Sequence, residues 1–126
     1  MTDAQVLHVC LSAADAAESI AFYEQFGFEE SWQFTTTDGG TTNYYVADGN
    51  GVEIQLSETE GATEFEAGTA WDHLALGVDD VDATVEDIDH YGVVKDPGPQ
   101  PEAGSYTAFV EDPDCHHVEL IEPLGD

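Results

Sequence analysis

The chain has 126 residues, enough for one compact domain with a buried core and too few for two independent domains. Apolar residues make up 41% and aromatic residues 10%, which excludes the composition of an acidic disordered chain. Against 28 Asp and Glu residues there is one basic residue, Lys95, and the net charge of −27 excludes nucleic acid and anionic membrane surfaces as partners because both are repelled.

The acidic residues are spread along the whole chain, so we expect them to coat a globule rather than to form a tail. Such a surface repels itself in dilute buffer, whereas in molar salt the Debye length falls to about 3 Å and the repulsion is screened. This composition resembles that of proteins from extreme halophiles. Cys10 and Cys115 are too few for a disulfide framework, and no leader sequence is recognisable, so we expect a cytoplasmic protein with free thiols.

The first predicted elements are a short strand and an amphipathic helix. The apolar stretch Val6–Leu11 precedes Asp15, which suits a helix N-cap, and Gly27 suits the C-terminal end of the helix. An apolar stripe with three-residue spacing lies between them: Ile20, Tyr23 and Phe26. We therefore expect a helix that lies on a sheet.

Three further strands are predicted after this helix. A strand-forming stretch and a loop containing glycine lead to the strand Thr42–Ala47, the tight turn Asp48–Gly51 and the strand Val52–Leu56. The order of elements is β-α-β-β-β. Residues 58–69 are polar, acidic and contain glycine, and we interpret them as a linker.

The second half of the chain repeats the first at an offset of 64 or 65 residues. The matched pairs are His8 and His73, Asp15 and Asp80, Gly27 and Gly92, Asp48 and Asp112, and Gln55 and Glu119. The second helix stripe is predicted at Val81, Val85, Ile88 and Tyr91, and the strands at His73–Val78, Tyr106–Val110 and His117–Ile121. We therefore predict an α+β fold, a single domain over residues 1–126 built from two tandem βαβββ modules, residues 5–57 and 70–122.

Four of the repeated polar residues suit a metal site. Alternation within a strand places Glu119 and Gln55 on the face away from the core, because apolar residues flank each of them. If His8 and His73 share that face, two imidazoles, one amide oxygen and one carboxylate gather there, a set suited to Ni²⁺, Co²⁺ or Zn²⁺ with open positions for substrate. The alternative is that these are ordinary half-buried or solvated strand residues; their symmetric placement favours the metal.

Several strings resemble the signatures of glyoxalase I, a branch of the vicinal oxygen chelate (glyoxalase/bleomycin resistance/dioxygenase) superfamily. They are Phe65–Leu76, Ala108–Asp114 and Val118–Glu122 in the second module, and Ser19–Tyr23 with Phe26–Phe28 in the first. The resemblance covers nearly the whole chain. It implies a glyoxalase-type curved mixed sheet with the helices on its outer face, one divalent metal per site and a homodimer in which a site can take ligands from both chains.

The resemblance also implies an activity. A lactoylglutathione lyase-like enzyme, a metal-dependent carbon–sulfur lyase of methylglyoxal detoxification, isomerises the hemithioacetal of methylglyoxal and a small thiol to a hydroxyacyl thioester through a metal-bound enediolate. By position His8, His73 and Glu119 match ligands of the family, with Ni²⁺ or Co²⁺ favoured. Gln55 stands where bacterial members usually carry Glu, and Glu53, on the same face, is the alternative ligand.

The resemblance assigns proton transfer to Glu119, because an amide at Gln55 cannot accept a proton. Cys10 is expected on the same side of its strand as His8, either as a soft ligand or, preferably, as part of the wall. His117 shares the face of Glu119 and is expected either to orient substrate or to be solvent-exposed. We expect His90 and His116 to be surface residues.

The chain departs from glutathione-using relatives in its basic residues. Ser12 stands where they have an arginine in the first strand, and only Lys95 could pair with a carboxylate of the thiol. This argues for a small thiol carrier other than glutathione. Cys115 replaces the usual glycine in a turn, where a left-handed backbone is expected.

Two other functions are compatible with the same fold. His, Gln, His and Glu is also the ligand set of methylmalonyl-CoA epimerases, although no cationic groove for the phosphates of CoA is evident. A metal-free small-molecule-binding protein of the superfamily is the second alternative, and such proteins typically lack the four ligands. Metal analysis would separate this class from the enzymes.

Overall fold

Each half of the chain builds its own four-stranded sheet with one helix on it. The computed structural model describes residues 2–66 and 68–123, and these fall into two units, Met1–Phe65 and Glu66–Asp126. The elements of the first unit are β1 (His8–Ser12), α1 (Ala16–Glu24), β2 (Glu29–Thr35), β3 (Thr41–Ala47) and β4 (Glu53–Thr59). Its strands are arranged β1-β4-β3-β2, with β1 parallel to β4 and the other neighbours antiparallel.

The second unit repeats this arrangement. Its elements are β5 (Leu74–Gly77), α2 (Val81–Asp87), β6 (Val93–Gln100), a short 3-10 turn (Pro101–Ala103), β7 (Ser105–Glu111) and β8 (His117–Pro123). The strand order is β5-β8-β7-β6, again with one parallel pair, β5 and β8. The predicted α+β fold of two βαβββ modules is confirmed.

Helix α1 forms where the sequence predicts it. Asp15 is the N-cap, and its side chain accepts a hydrogen bond of 3.1 Å from the amide of Ala17. The helix ends at Glu24, and Gly27 follows with a positive φ of 90°. One face packs on β3 and β4 through the buried residues Ala16, Ser19, Ile20, Phe22 and Tyr23. The prediction is therefore confirmed for Ile20 and Tyr23. Phe22 is buried but was not predicted, and Phe26 was predicted but lies beyond the helix.

Helix α2 is shorter than predicted. It ends at Asp87, Ile88 is already extended, and Tyr91 is 50% exposed rather than part of a buried stripe. Three of its seven residues are β-branched, which lowers helix propensity, and its last two are acids at the negative end of the helix dipole. These two effects stop the helix before Gly92, so the prediction that Gly92 ends it is wrong.

A glutamate from the last strand of each unit reaches the start of that unit's helix. The amide of Ala16 donates to Oε2 of Glu58 at 2.8 Å, and the amide of Val81 donates to Oε1 of Glu122 at 2.9 Å. Amides in the first helical turn have no partner within the helix, so each carboxylate satisfies one of them and faces the positive end of the dipole. Strand β4 runs on to Thr59, which places Glu58 in the sheet instead of the predicted linker.

The strand alternation predicted from the sequence is confirmed. Ile54 and Leu56 are buried on either side of half-buried Gln55, and Val118 and Leu120 are buried on either side of Glu119. Burying one such aliphatic side chain contributes about 1.5–3 kcal/mol. The apolar positions therefore fix which face of each sheet carries the polar side chains.

The first strand of each unit begins later than the apolar run suggested. Strand β1 starts at His8 rather than Val6, and β5 starts at Leu74 rather than His73. Val6 is 68% exposed and Leu7 is also largely exposed, so apolar character alone did not mark a strand here. Among the described residues no helix combines the length and apolar character needed to cross a bilayer.

The turn between β7 and β8 has the left-handed residue expected at Cys115, with φ of 66°. Its counterpart in the first unit is Gly51, with φ of 96°. Asp112 is buried in this turn, and its carboxylate accepts hydrogen bonds from the backbone amides of Asp114 and His116, both at 2.9 Å. His116 also contacts this carboxylate through its ring, so the interpretation of His116 as a surface residue is wrong.

Candidate active site

One row of four side chains crosses each sheet on the face opposite the helix. In the first unit, strand register pairs Cys10 with Gln55, Gln55 with Tyr45, and Tyr45 with Trp32. Residues paired in register point to the same side of a sheet and lie close enough to interact. We call this set Cys10, Gln55, Tyr45 and Trp32 the first row.

The second unit carries the corresponding second row: Ala75, Glu119, Phe109 and Lys95. Each position has a counterpart in the first row, because the two sheets share one topology. An irregularity in strand pairing lies beside the outer member of each row, before Trp32 in β2 and on both sides of Lys95 in β6. Such irregularities redirect side chains, and they are frequent next to active sites.

His73 and Glu119 meet on this face of the second sheet. Nε2 of His73 lies 3.0 Å from Oε1 of Glu119, and Nδ1 lies 2.6 Å from Oδ1 of Asp72. The imidazole stands edge-on to Phe109, with ring centroids 5.1 Å apart and an interplanar angle of 83°. Packing on Phe109 and the contact with Asp72 therefore fix the orientation of the ring.

The chemistry of this pair fits a divalent cation. An imidazole that binds a metal is neutral and has a single N–H. Nδ1 would then donate to Asp72, and the lone pair of Nε2 would face the cation beside Glu119. Adjacent donors on an octahedral ion with bonds of about 2.1 Å are themselves about 3.0 Å apart, which matches the separation of His73 and Glu119. Asp72 then orients the ring from the outer side.

The first unit presents the corresponding histidine and an amide. His8 is exposed and stands edge-on to Tyr45, with ring centroids 5.5 Å apart and an interplanar angle of 83°. The amide nitrogen of Gln55 donates to Oδ1 of Asn43 at 2.8 Å. Asn43 is only 6% exposed, so it holds the nitrogen of Gln55 inward and leaves the amide oxygen free to accept a hydrogen bond or bind a cation.

Gln55 and Glu53 share a face, and the second unit indicates which of them corresponds to Glu119. Register pairs Ala75 with Glu119, so His73 reaches Glu119 on a diagonal across the parallel pair. The same diagonal in the first unit joins His8 to Gln55, because register pairs Gln55 with Cys10. Glu53 is directly opposite His8, and the hydroxyl of Ser31 donates to its carboxylate.

An open cavity lies beside His8 within the first unit. Its volume is about 580 Å³, and its lining includes Trp32, Tyr45 and Glu53. The rings of Trp32 and Tyr45 are stacked, with centroids 4.4 Å apart and planes within 8°. Burial, with the charge of Glu53, raises the pKa of Tyr45, so its phenol stays neutral. This cavity is suited to apolar parts of a ligand.

The other residues predicted to contact substrate also lie on the site faces of their sheets. Cys10 and Ser12 alternate with Leu11, which is buried on the helix side. Partial enclosure raises the pKa of the Cys10 thiol, which favours the neutral wall residue over a thiolate ligand. Lys95 donates to Oγ1 of Thr107 at 3.3 Å.

His117 lies beside Trp71, Asp72 and Cys115 around a small cavity of about 200 Å³ in the second unit. Nε2 of His117 is 3.8 Å from a carboxylate oxygen of Glu111, and its side chain is 43% exposed. It is therefore placed near Asp72, the residue that orients His73. Both expectations for His117, a role in orientation and solvent exposure, remain compatible with this placement.

Two of the residues predicted as metal ligands lie in each unit. In the parts of the chain that the structure describes, no group of three or more His, Cys, Asp or Glu side chains is placed to hold a metal ion. The first unit offers His8 and Gln55, and the second offers His73 and Glu119.

Sequence reasoning omitted the aromatic centres of the two rows, Tyr45 and Phe109, and the orienting residues Asn43 and Asp72. The aromatic pair carried a usable signal, because it is related by the same repeat offset as Gln55 and Glu119. Asn43 had no such signal, since its role depends on a hydrogen bond across two strands.

A family model described as the Glyoxalase/Bleomycin resistance protein/Dioxygenase superfamily matches residues 5–120. The probable lactoylglutathione lyase of Vibrio parahaemolyticus is 34% identical, with 97% of this chain and 93% of that protein aligned. The lactoylglutathione lyase of Haemophilus influenzae is 36% identical, with 94% of this chain and 92% of that protein aligned.

Solved structures agree with these relatives. Glyoxalase I from Zea mays has a TM-score of 0.84 at 26% identity. The alignment covers 96% of this chain and 45% of the maize chain. The trypanothione-dependent glyoxalase I of Leishmania major has a TM-score of 0.78 at 27% identity, and the alignment covers 95% of this chain and 87% of that chain. TnmS3, an antibiotic binding protein from a Streptomyces species, shares the fold alone, with a TM-score of 0.73 at 23% identity and 98% of each chain covered.

These matches confirm the fold and family expected from the sequence, and they agree with the expected glyoxalase I-like lyase. The chain belongs to the Glyoxalase/Bleomycin resistance protein/Dioxygenase superfamily.

Proposed function

We propose that this protein is a metal-dependent glyoxalase I-like lyase that isomerises the hemithioacetal of methylglyoxal and a small thiol to a hydroxyacyl thioester. The observation that carries the proposal is the contact between His73 and Glu119 at 3.0 Å, oriented by Asp72 and lying in a row of side chains on the open face of the sheet. The near-full-length relatives named lactoylglutathione lyase support the same reaction.

The proposed ligands of one divalent cation are His8, Gln55, His73 and Glu119, with Ni²⁺ or Co²⁺ favoured over Zn²⁺. When bound, such an ion acts as a Lewis acid that stabilises negative charge on the two vicinal oxygens of the substrate. We further propose that the protein is a homodimer in a salt-loaded cytoplasm, with residues 1–126 as a single domain.

Glu119 is the proposed base. Its carboxylate takes the proton from the substrate carbon that carries sulfur and returns it to the adjacent carbon, so the thioester forms with no net gain or loss of atoms. Gln55 occupies the matching position in the first unit, but an amide has no site that accepts this proton. Proton transfer is therefore one-sided, and the enzyme deprotonates a single enantiomer of the hemithioacetal.

The experiment is an assay with methylglyoxal and a panel of thiols in molar KCl, with Ni²⁺, Co²⁺ or Zn²⁺ added to metal-free protein. We expect Glu119→Gln to lose about 10²–10⁴-fold in kcat, the usual contribution of a general base. The matched variant Gln55→Glu keeps its activity and begins to consume the second enantiomer, because it adds a carboxylate at the equivalent position. Near-normal turnover by Glu119→Gln rules out the proposed base.

Metal analysis separates this proposal from a binding protein that shares the fold, such as TnmS3. Protein purified in molar KCl should retain one equivalent of Ni²⁺ or Co²⁺ after dialysis, and His73→Ala should lose it. A preparation that contains no stoichiometric metal, yet binds small aromatic ligands, contradicts the enzyme assignment.

A further inference from the structure

The cavity beside His8 in the first unit joins aromatic rings to a carboxylate. Its volume is about 580 Å³, and its lining includes Trp32, Tyr45 and Glu53. The sequence of this unit contains no lysine or arginine, because the one basic residue of the chain, Lys95, lies in the second unit. An occupant of the cavity therefore meets aromatic surface and negative charge together.

Trp32 provides the accessible aromatic surface. Its indole stacks on Tyr45 with ring centroids 4.4 Å apart and on Phe34 at 5.4 Å, and it is nevertheless 52% exposed. Tyr45 is only 5% exposed, so a ligand in the cavity contacts the indole in preference to the phenol. The stack also fixes the orientation of the indole, which reduces the entropy that a ligand would lose in ordering it.

Glu53 places a half-buried carboxylate next to these rings. Register pairs it with His8 on β1, and the hydroxyl of Ser31 donates to its Oε2. Ser31 lies in the irregular part of β2 immediately before Trp32, so this hydrogen bond ties the carboxylate to the strand that carries the indole. The negative charge of Glu53 also helps to raise the pKa of Tyr45, as expected for a carboxylate close to that ring.

The face of an indole attracts cations through its quadrupole, and a carboxylate nearby adds to that attraction. Quaternary ammonium ions suit such a cavity because their methyl groups also gain free energy from contact with apolar surface. We propose that the cavity of the first unit binds a small quaternary ammonium cation, recognised by the indole of Trp32 and the carboxylate of Glu53. This site goes beyond the proposed lyase reaction and does not depend on it.

Charge distinguishes this occupant from the alternatives. An anion in the cavity would lie beside Glu53 in a chain of net charge −27 and is repelled, whereas the same field attracts a cation. A neutral ligand gains only the contact with the rings. In the second unit the position of Trp32 is taken by Lys95, which pairs with Phe109 as Trp32 pairs with Tyr45. We therefore expect one such site per chain.

The test compares choline with 3,3-dimethyl-1-butanol, a neutral molecule of nearly the same shape in which carbon replaces the quaternary nitrogen. Trp71→Phe removes the only other tryptophan, so the emission of this protein reports on Trp32 alone. Choline chloride replaces KCl at constant molar salt, which keeps long-range attraction equally screened throughout. We expect a saturable change in emission, with choline bound about tenfold more tightly than the alcohol.

Two variants assign the contacts, and the methyl resonance of each ligand, followed by NMR, measures binding where the indole is lost. Trp32→Leu keeps an apolar side chain, and Glu53→Gln keeps the shape of the residue. Each should reduce the preference for choline to about threefold or less. The matched control Glu30→Gln removes one charge from the other face of the same sheet, because register pairs Glu30 with buried Val46. It should retain the tenfold preference.

Equal affinity of the wild type for both ligands means that the cavity recognises apolar surface only, and this result overturns the proposal, as does absence of binding. Choline binding that is unchanged in both Trp32→Leu and Glu53→Gln reports attraction to the net charge of the chain and overturns it as well. If a variant fails to fold, the preference of the wild type and the emission of Trp32 in Trp71→Phe decide. None of these measurements requires turnover, so the lyase assignment is tested separately.

Discussion

Gln55 and Glu119 differ by one functional group, and in the proposed mechanism that difference decides which of the two residues can move a proton. Both residues lie between buried aliphatic neighbours on the last strand of their unit, and both are paired in register with an aromatic ring. Strand alternation therefore accounts for the direction of each side chain. The amide of Gln55 is further held by Asn43, a contact that an ionised glutamate at position 55 could not make in the same way, because Oδ1 of Asn43 is itself an acceptor.

His116 gives the protein a pH-dependent contribution to stability. Burial disfavours the charged ring, but the hydrogen bond to Asp112 and the charges of Asp112 and Asp114 outweigh it, so the pKa of His116 is raised. A raised folded-state pKa means that the stabilisation is complete below the unfolded value of about 6.5 and is lost as pH rises through the folded value.

We therefore expect His116→Gln to be about 1.5–3 kcal/mol less stable than wild type near pH 5, as for other hydrogen bonds to charged groups, and the gap to narrow towards pH 9. Urea unfolding in molar KCl across this pH range measures it. His117→Gln, at a more exposed ring, is the matched control. A gap that widens with pH contradicts the assigned direction.

Residues could be predicted where the pattern that marks them lies in the sequence, and could not where their contacts depend on strand register. His8, Gln55, His73 and Glu119 could be proposed as ligands because alternation and the repeat are properties of the sequence itself, and they remain a proposal. The outer members of the rows were not found as partners, because the pairing of Trp32 with Tyr45 and of Lys95 with Phe109 depends on irregular strand register. Local sequence patterns do not encode such a register shift.

At the scale of elements, each helix is attached to its sheet by a carboxylate from the last strand. Glu58 accepts from the first amide of α1 and Glu122 from the first amide of α2, in addition to the N-caps Asp15 and Asp80. The sequence predicted both caps but not these longer connections, because the partners are separated by 42 and 41 residues.

We expect Glu58→Gln and Glu122→Gln each to lower the free energy of unfolding by about 0.5–2 kcal/mol, the range measured for loss of a helix N-cap. Thermal unfolding in molar KCl measures it, and Glu64→Gln, at an exposed acid outside the helices and strands, is the control. A variant at position 58 or 122 that matches the control would show that the contact contributes nothing.

Helix α2 shows how element boundaries escape sequence analysis. The three- and four-residue spacing of Val81, Val85, Ile88 and Tyr91 predicted one continuous helix, yet Ile88 is extended. The periodicity was present, but the β-branched residues and terminal acids made the last turn too weak to form. Helix α1 has three alanines and one β-branched residue among its nine residues, and the prediction held over most of its length.

For the whole molecule, the dominant quantity is the net charge of −27. Self-repulsion opposes folding in dilute buffer and weakens as the Debye length falls from about 10 Å at 0.1 M salt to about 3 Å at 1 M. We expect the unfolding temperature to rise steeply between these concentrations of KCl, by about 4 °C or more for each 1 kcal/mol recovered.

Scanning calorimetry across a KCl series measures this dependence. Sucrose at matched osmolality is the control, because it strengthens apolar burial without screening charge. If sucrose stabilises the protein as strongly as KCl does, charge repulsion is not the cause.

Some of the carboxylates make structural hydrogen bonds and are not simply solvated surface charges. Asp15 and Asp80 cap helices, Glu58 and Glu122 hold the same helices to their sheets, and Asp112 is the buried centre of a turn. Anyone redesigning this protein for work in fresh water must therefore leave these positions untouched and neutralise only acids that have no backbone amide to satisfy. A variant that is stable at lower salt therefore requires selective substitution of acidic residues. Removing negative charge uniformly would also remove the carboxylates that stabilise the helices and the turn.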